Sequence, residues 1–278
     1  RWLLFLMCML LLAGCGQDKK QAEEQGVQPE YRENTLVIRL SEEFERFTLL
    51  TMEEDYFYYW VSEVTGEGDS YEETVRFYRQ SFESNSKPQD LKLTLINPIF
   101  RDFCVKEETL YLLLGKETDG ELQYFIQVYD MNGAIVTEVS LEGLLNERPE
   151  KILCLQDGNI GVLTPKQIVI VNLQGQHQET IECPGKEFRG ITELLDGRLA
   201  LAYQDNSEKS VCLIRYNPKD DSMTTPVNIS GDGRMLLAQA EGVLYLTSED
   251  LILLSEEKNT ESELLSLAGR NVAYEQIV

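Results

Sequence analysis

Short runs rich in Val, Ile, Leu and Tyr recur in this chain at a spacing near 40 residues, each leading into a similar polar turn. One run ends Val128-Tyr129 and passes into Asp130-Met131-Asn132-Gly133; the next ends Ile170-Val171 and passes into Asn172-Leu173-Gln174-Gly175. A third ends Arg215-Tyr216 before Asn217-Pro218-Lys219-Asp220, and a fourth ends Leu253-Leu254 before Ser255-Glu256-Glu257-Lys258. Tyr129, Val171, Tyr216 and Leu254 are separated by steps of 42, 45 and 38 residues. Asp157-Gly158, Asp196-Gly197 and Glu241-Gly242 each precede a further run, as hairpin turns do. A less regular early unit places Tyr56–Val61 and Thr74–Tyr78 in the same roles.

A repeat of about 40 residues with about four strands is the signature of β-propeller blades. One four-stranded sheet exposes two apolar faces, and stacking the next blade against it buries both. The expected fold is all-β, a β-propeller-like array of about five four-stranded blades, near 35–92, 93–143, 144–186, 187–230 and 231–267. A β-sandwich is the alternative. The segment from Glu72 to Phe82 fits a helix as well as a strand. Many closed propellers use about six to eight blades. The chain does not open on Met, and Asn271–Val278 reads as a strand just beginning. The domain at 35–278 is therefore expected to be incomplete, truncated at the C-terminus.

Ahead of the repeats, Trp2 to Ala13 is almost wholly apolar, short of the roughly 20 residues a spanning helix needs but long enough for the core of a signal peptide. It ends in Leu12-Ala13-Gly14-Cys15, and polar residues follow from Gly16 to about Asn34. This pattern resembles the lipobox of bacterial lipoproteins. The resemblance implies a signal peptide at 1–14, recognised by its peptidase through Leu12, Ala13 and Gly14. It also implies diacylglycerol on the Cys15 thiol and a flexible linker over 15–34. The implied location is the extracytoplasmic face of the cell membrane, with the bilayer as partner through acylated Cys15. Acyl chains contribute about 0.8 kcal/mol per buried methylene, so two or three of them anchor stably.

The formal net charge is −23. Such a chain repels nucleic acid and anionic headgroups, so the lipid rather than a basic face must hold it at the membrane. Six cysteines are present. Cys8 leaves with the signal peptide and Cys15 takes the lipid. Cys104, Cys154, Cys183 and Cys212 remain, widely spaced and without zinc-ligand spacing. Cys104, Cys154 and Cys212 sit in apolar runs, where a thiol behaves as a small hydrophobe. Disulfides are chemically open to them outside the cell, but spacing selects no pair.

Catalytic patterns are sparse. A single histidine, His177, is placed in the turn after Gly175, which rules out a multi-histidine metal site. No G-x-S-x-G, H-E-x-x-H, calcium loop or phosphate-binding glycine loop occurs. Ser84-Asn85-Ser86-Lys87 and Ser255-Glu256-Glu257-Lys258 match S-x-x-K but lie in polar, loop-like surroundings without K-T-G. Glu53-Glu54-Asp55, Asp220-Asp221 and Asp232 read as turn residues. In Tyr56-Phe57-Tyr58-Tyr59-Trp60, alternation splits the rings between two faces, favouring packing over a sugar platform. The expectation is no catalytic residue, no metal and no cofactor.

Lipobox, polar spacer and Y-D-x-x-G-type turns together resemble the propeller-like N-terminal region of Gram-positive extracellular solute-binding lipoproteins. Leu264-Leu265-Ser266-Leu267 followed by Asn271-Val272 is similar to their inter-blade segment. That resemblance implies a non-catalytic binding or recognition module beside a transporter, with a substrate-binding domain elsewhere and no ligand residue transferable to this chain. Its ligand would be a protein or a carbohydrate. The other readings are a scaffold lipoprotein for protein assembly and a carbohydrate-active enzyme.

Overall fold

The computed structural model describes residues 46–266, apart from 54–55, 67–71, 82, 84–85, 208–209, 234–235, 240–241, 247–249 and 256–260. The Leu12-Ala13-Gly14-Cys15 pattern, the polar segment after it and the segment from Asn271 to Val278 lie outside the described residues. Within them the chain forms twenty-one strands and no helix. They group into five antiparallel meanders.

The first blade is β1 (Arg46–Glu53), β2 (Tyr56–Thr65), β3 (Glu72–Ser81) and β4 (Gln89–Ile96). The second is β5 (Ile99–Lys106), β6 (Thr109–Thr118), β7 (Glu121–Asp130) and β8 (Ile135–Ser140). The third is β9 (Lys151–Cys154), β10 (Ile160–Leu163), β11 (Gln167–Val171) and β12 (His177–Glu182). The fourth is β13 (Glu187–Glu193), β14 (Leu199–Gln204), β15 (Val211–Asn217), β16 (Ser222–Met223) and β17 (Val227–Ile229). The fifth is β18 (Leu236–Gln239), β19 (Gly242–Leu246), β20 (Asp250–Ser255) and β21 (Glu261–Ser266). The all-β, propeller-like expectation holds, and so does the count of five.

One open local reading is decided and two others are corrected. Glu72–Ser81 is a strand paired along its length with β2, because Val75 and Phe77 are needed in a sheet face. His177 opens β12 opposite Val171 instead of sitting in the turn. The fourth blade has five strands, since its outer edge is split: β16 and β17 both pair β15. Pro226 lies in the break, where a residue without N–H cannot donate to the ladder.

First strands of successive blades lie side by side, β1 by β5, β5 by β9, β9 by β13 and β13 by β18. Each of the four seams between blades has its own hydrophobic cluster. Alternation along the middle strands feeds two seams at once. Leu112 enters the cluster shared with the first blade, and Leu113 the cluster shared with the third. Val169 and Val171 face back to the second blade while Ile168 and Ile170 face on to the fourth. This is why the middle strands read as unbroken apolar runs: both faces are dry. The aromatic run obeys the same rule. Tyr58 packs near Phe103 and Trp60 meets Phe100 edge-on at 6.0 Å, whereas Phe57 and Tyr59 stack together at 5.8 Å on the other face.

The recurring turns also have a packing role. Asp130 Oδ1 accepts from the N–H groups of Asn132 and Ala134, both at 2.9 Å, and Asn172 Oδ1 accepts from Gln174 and Gln176 in the next blade. Each turn docks on the outer strand of the preceding blade. Gly133, at φ +79°, lies so near β4 that a Cβ would stand 2.7 Å from the Lys92 carbonyl oxygen. Gly158, at φ +88°, has open space around its Cβ position. Gly158→Ala is expected to cost about 1–2 kcal/mol from the left-handed backbone alone. Gly133→Ala should cost a further ~1–3 kcal/mol for the clash with backbone that cannot move aside. Paired denaturant melts check the difference; equal losses would contradict the docking role.

Spacing left the cysteine pairing open, and the structure decides it. Cys104 on β5 and Cys154 on β9 form a disulfide across the seam between the second and third blades, with Cα atoms 6.3 Å apart. They are not the inert thiols their apolar surroundings suggested. Cys183 and Cys212 are free thiols.

Candidate functional site

Cys15, Leu12, Ala13 and Gly14, the residues that carry the sequence-based site, lie outside the described residues. Ser84, Asn85 and Glu256–Lys258, within the two S-x-x-K matches, do so too. What the described fold offers is a rim of first-to-second-strand turns on the second, third and fourth blades, beside the seams. Loops of this kind, held by a rigid scaffold, are where binding groups are presented.

The rim is tied from blade to blade. Lys106, at the end of β5, donates through Nζ to the Leu155 carbonyl of the third blade. Gln156 then donates its N–H to Glu193 Oε2 at 2.7 Å and its Nε2 to the Leu194 carbonyl at 3.1 Å, reaching the fourth blade. Arg79, on the first blade, sits over the Tyr56 ring at 4.6 Å and pairs with Glu108 of the second at 3.3 Å. Glu107 and Glu108 hold φ of 49° and 55°, the signature of a tight hairpin turn.

Carboxylates dominate the charge here. Burial pushes the Glu193 carboxyl up from its ordinary value, and nearby Asp157 adds to this; the Gln156 N–H and Lys106 act the other way. Asp196 is held low by its hydrogen bond from Arg198. Leu195, at the tip of its turn, is 54% exposed, so this acidic rim also presents an apolar contact. Among the described residues no group of three or more His, Cys, Asp or Glu side chains is placed to hold a metal ion.

The remaining candidates do not converge. His177 Nε2 lies 2.7 Å from Thr180 Oγ1 on an exposed outer strand. Asp220 caps its own turn by accepting from Ser222. Glu179 and Asp221 both accept from the Tyr216 hydroxyl, joining the third and fourth blades. Burial raises the Glu179 carboxyl, and Asp221 raises it further. Sequence reasoning missed the rim because its groups come from turns about 40 residues apart. The shared Asp-Gly turns at 157–158 and 196–197 were the available signal. No helix among the described residues is long and apolar enough to cross a membrane.

No protein-family model matches the sequence, and no curated protein matches it. Among solved structures, the WD40 β-propeller domain of Doa1 is similar at 12% identity, over 77% of this chain and 95% of that one, with a TM-score of 0.35. The WD40 domain of Pan2 from Neurospora crassa is 8% identical over 74% of each chain, at 0.42. A chain of the nidogen/laminin complex is 12% identical over 75% of this chain and 92% of that one, also at 0.42. At such scores these likenesses carry no weight beyond the strand order and seams described above.

Proposed function

We propose that this chain is an extracytoplasmic lipoprotein, anchored through acylated Cys15, whose propeller-like array is a non-catalytic binding or scaffold module. The observation that carries the reading is Leu12-Ala13-Gly14-Cys15 at the end of an apolar run, followed by a polar spacer. The Cys104–Cys154 disulfide supports it independently, because structural disulfides persist in oxidising compartments and are rare in the cytosol. The acidic rim with Leu195 at its tip supports a protein partner over a nucleic acid or an anionic surface. Association with solute uptake is the finer reading, with a transporter subunit as partner.

Mass spectrometry of membrane-extracted protein tests the anchor. The mature N-terminal residue should be Cys15 carrying a diacylglyceryl group. The Cys15→Ser variant should lack that mass and keep residues 1–14. Soluble, unlipidated wild-type protein cut at another position would sink the reading. Cross-linking in intact membranes separates the finer alternatives: recovery of a permease subunit supports uptake, and recovery of other surface proteins alone supports a scaffold.

A further inference from the structure

The seam between the second and third blades is fastened at two adjacent points. Cys104 of β5 is bonded to Cys154 of β9, and two residues earlier on each strand the Asp102 carboxylate accepts the Ile152 N–H at 2.8 Å. The pairing of β5 with β6 shifts register between Phe100 and Asp102. The residue keeps partial exposure, but its carboxylate is enclosed. Lys151 of β9 is the charged side chain that acts on it. Arg101 turns instead to the Tyr124 ring, 5.9 Å away, and Leu113, opposite Asp102 on β6, carries no charge.

We propose that this seam is a redox-gated joint: the Cys104–Cys154 bond holds it closed, and after reduction it opens more readily at neutral than at acidic pH because Asp102 is enclosed within it. The inference is independent of the lipid anchor. In the redox step a dithiol reductant supplies two electrons and two protons. The sulfur–sulfur bond breaks, Cys104 and Cys154 each gain an S–H, and the reductant leaves as its own disulfide. The pH step follows from burial, which raises the Asp102 carboxyl to about 6, against backbone N–H groups and Lys151 that lower it. A group raised in the closed state favours closure while protonated, and that contribution is lost as pH climbs from about 4 through 6. Opening hydrates the carboxylate and restores its ordinary acidity. Linkage across that range makes opening about ten-fold more favourable at pH 7.5 than at pH 5.

Hydrogen exchange on the full chain, corrected for the intrinsic pH dependence of exchange, tests this with dithiothreitol as the reductant. The oxidised protein should protect β5 and β9 equally at pH 5 and 7.5. The reduced protein should lose about ten-fold more protection there at pH 7.5 than at pH 5, while β14 and β15 keep theirs. Reduced Asp102→Asn, whose amide oxygen can still accept from Ile152, should lose the pH difference. Unchanged protection after reduction, equal loss at both pH values, loss throughout the chain, or a pH difference that survives in Asp102→Asn would each overturn the proposal.

Discussion

Replacing Leu112 and Leu113 together by Ala is expected to remove about 5–10 kcal/mol of stability, enough to unfold an ordinary domain. The two residues are neighbours on β6, and both are fully buried. Strand alternation sends them in opposite directions, Leu112 into the seam with the first blade and Leu113 into the seam with the third. Each truncation forfeits the transfer of its side chain and leaves a cavity, at about 2.7–5 kcal/mol per Leu. Because they belong to separate clusters, their effects should add to within ~0.5 kcal/mol. Leu112 and Phe103 share one cluster, and their double variant should show a coupling of about 0.5–3 kcal/mol. Urea melts of the single and double variants measure both quantities. Strong coupling between Leu112 and Leu113 would mean that the blade does not separate two cores.

That sandwiching explains why so much of the fold was legible. The repeat of turn chemistry at Asp130, Asn172 and Asn217 placed third strands correctly, since those side chains accept backbone N–H groups just beyond each strand. Unbroken apolar runs such as Ile168–Val171 pointed to strands dry on both sides. Period alone left Glu72–Ser81 open between helix and strand, because Glu73, Arg76 and Arg79 recur at a three-residue spacing that also suits a helix; pairing with β2 decides it. The acidic rim was illegible for another reason. Its hydrogen bonds run from Lys106 to Leu155 and from Gln156 to Glu193, between residues 49 and 37 positions apart. No local pattern records such contacts. The Leu12-Ala13-Gly14-Cys15 pattern behind the proposed lipid anchor is the reverse case: it is wholly local and independent of any fold.

The Cys104→Ala/Cys154→Ala double variant is expected to lose about 4 kcal/mol under oxidising conditions, from the entropy that a bond spanning 50 residues removes from the unfolded chain. A pair of this kind has a repeat logic. Inner strands of consecutive blades run side by side, so a residue on β5 has its neighbour on β9 one blade later. The separation exceeds the typical step because residues 141–150 form a longer link between blades. Cys183 lies in the link after β12, and Cys212 on the third strand of its blade, so neither occupies such a matched position. Their replacement by Ala should therefore show no loop-closure effect, and any loss should track burial, larger for Cys212 than for Cys183. Wild-type protein should fall toward the double variant when reduced, whereas the double variant should be indifferent to reductant. Denaturant midpoints with and without dithiothreitol measure this. A wild type insensitive to reductant would show that the bond adds nothing to the seam already formed by Ile152, Val162 and Leu113.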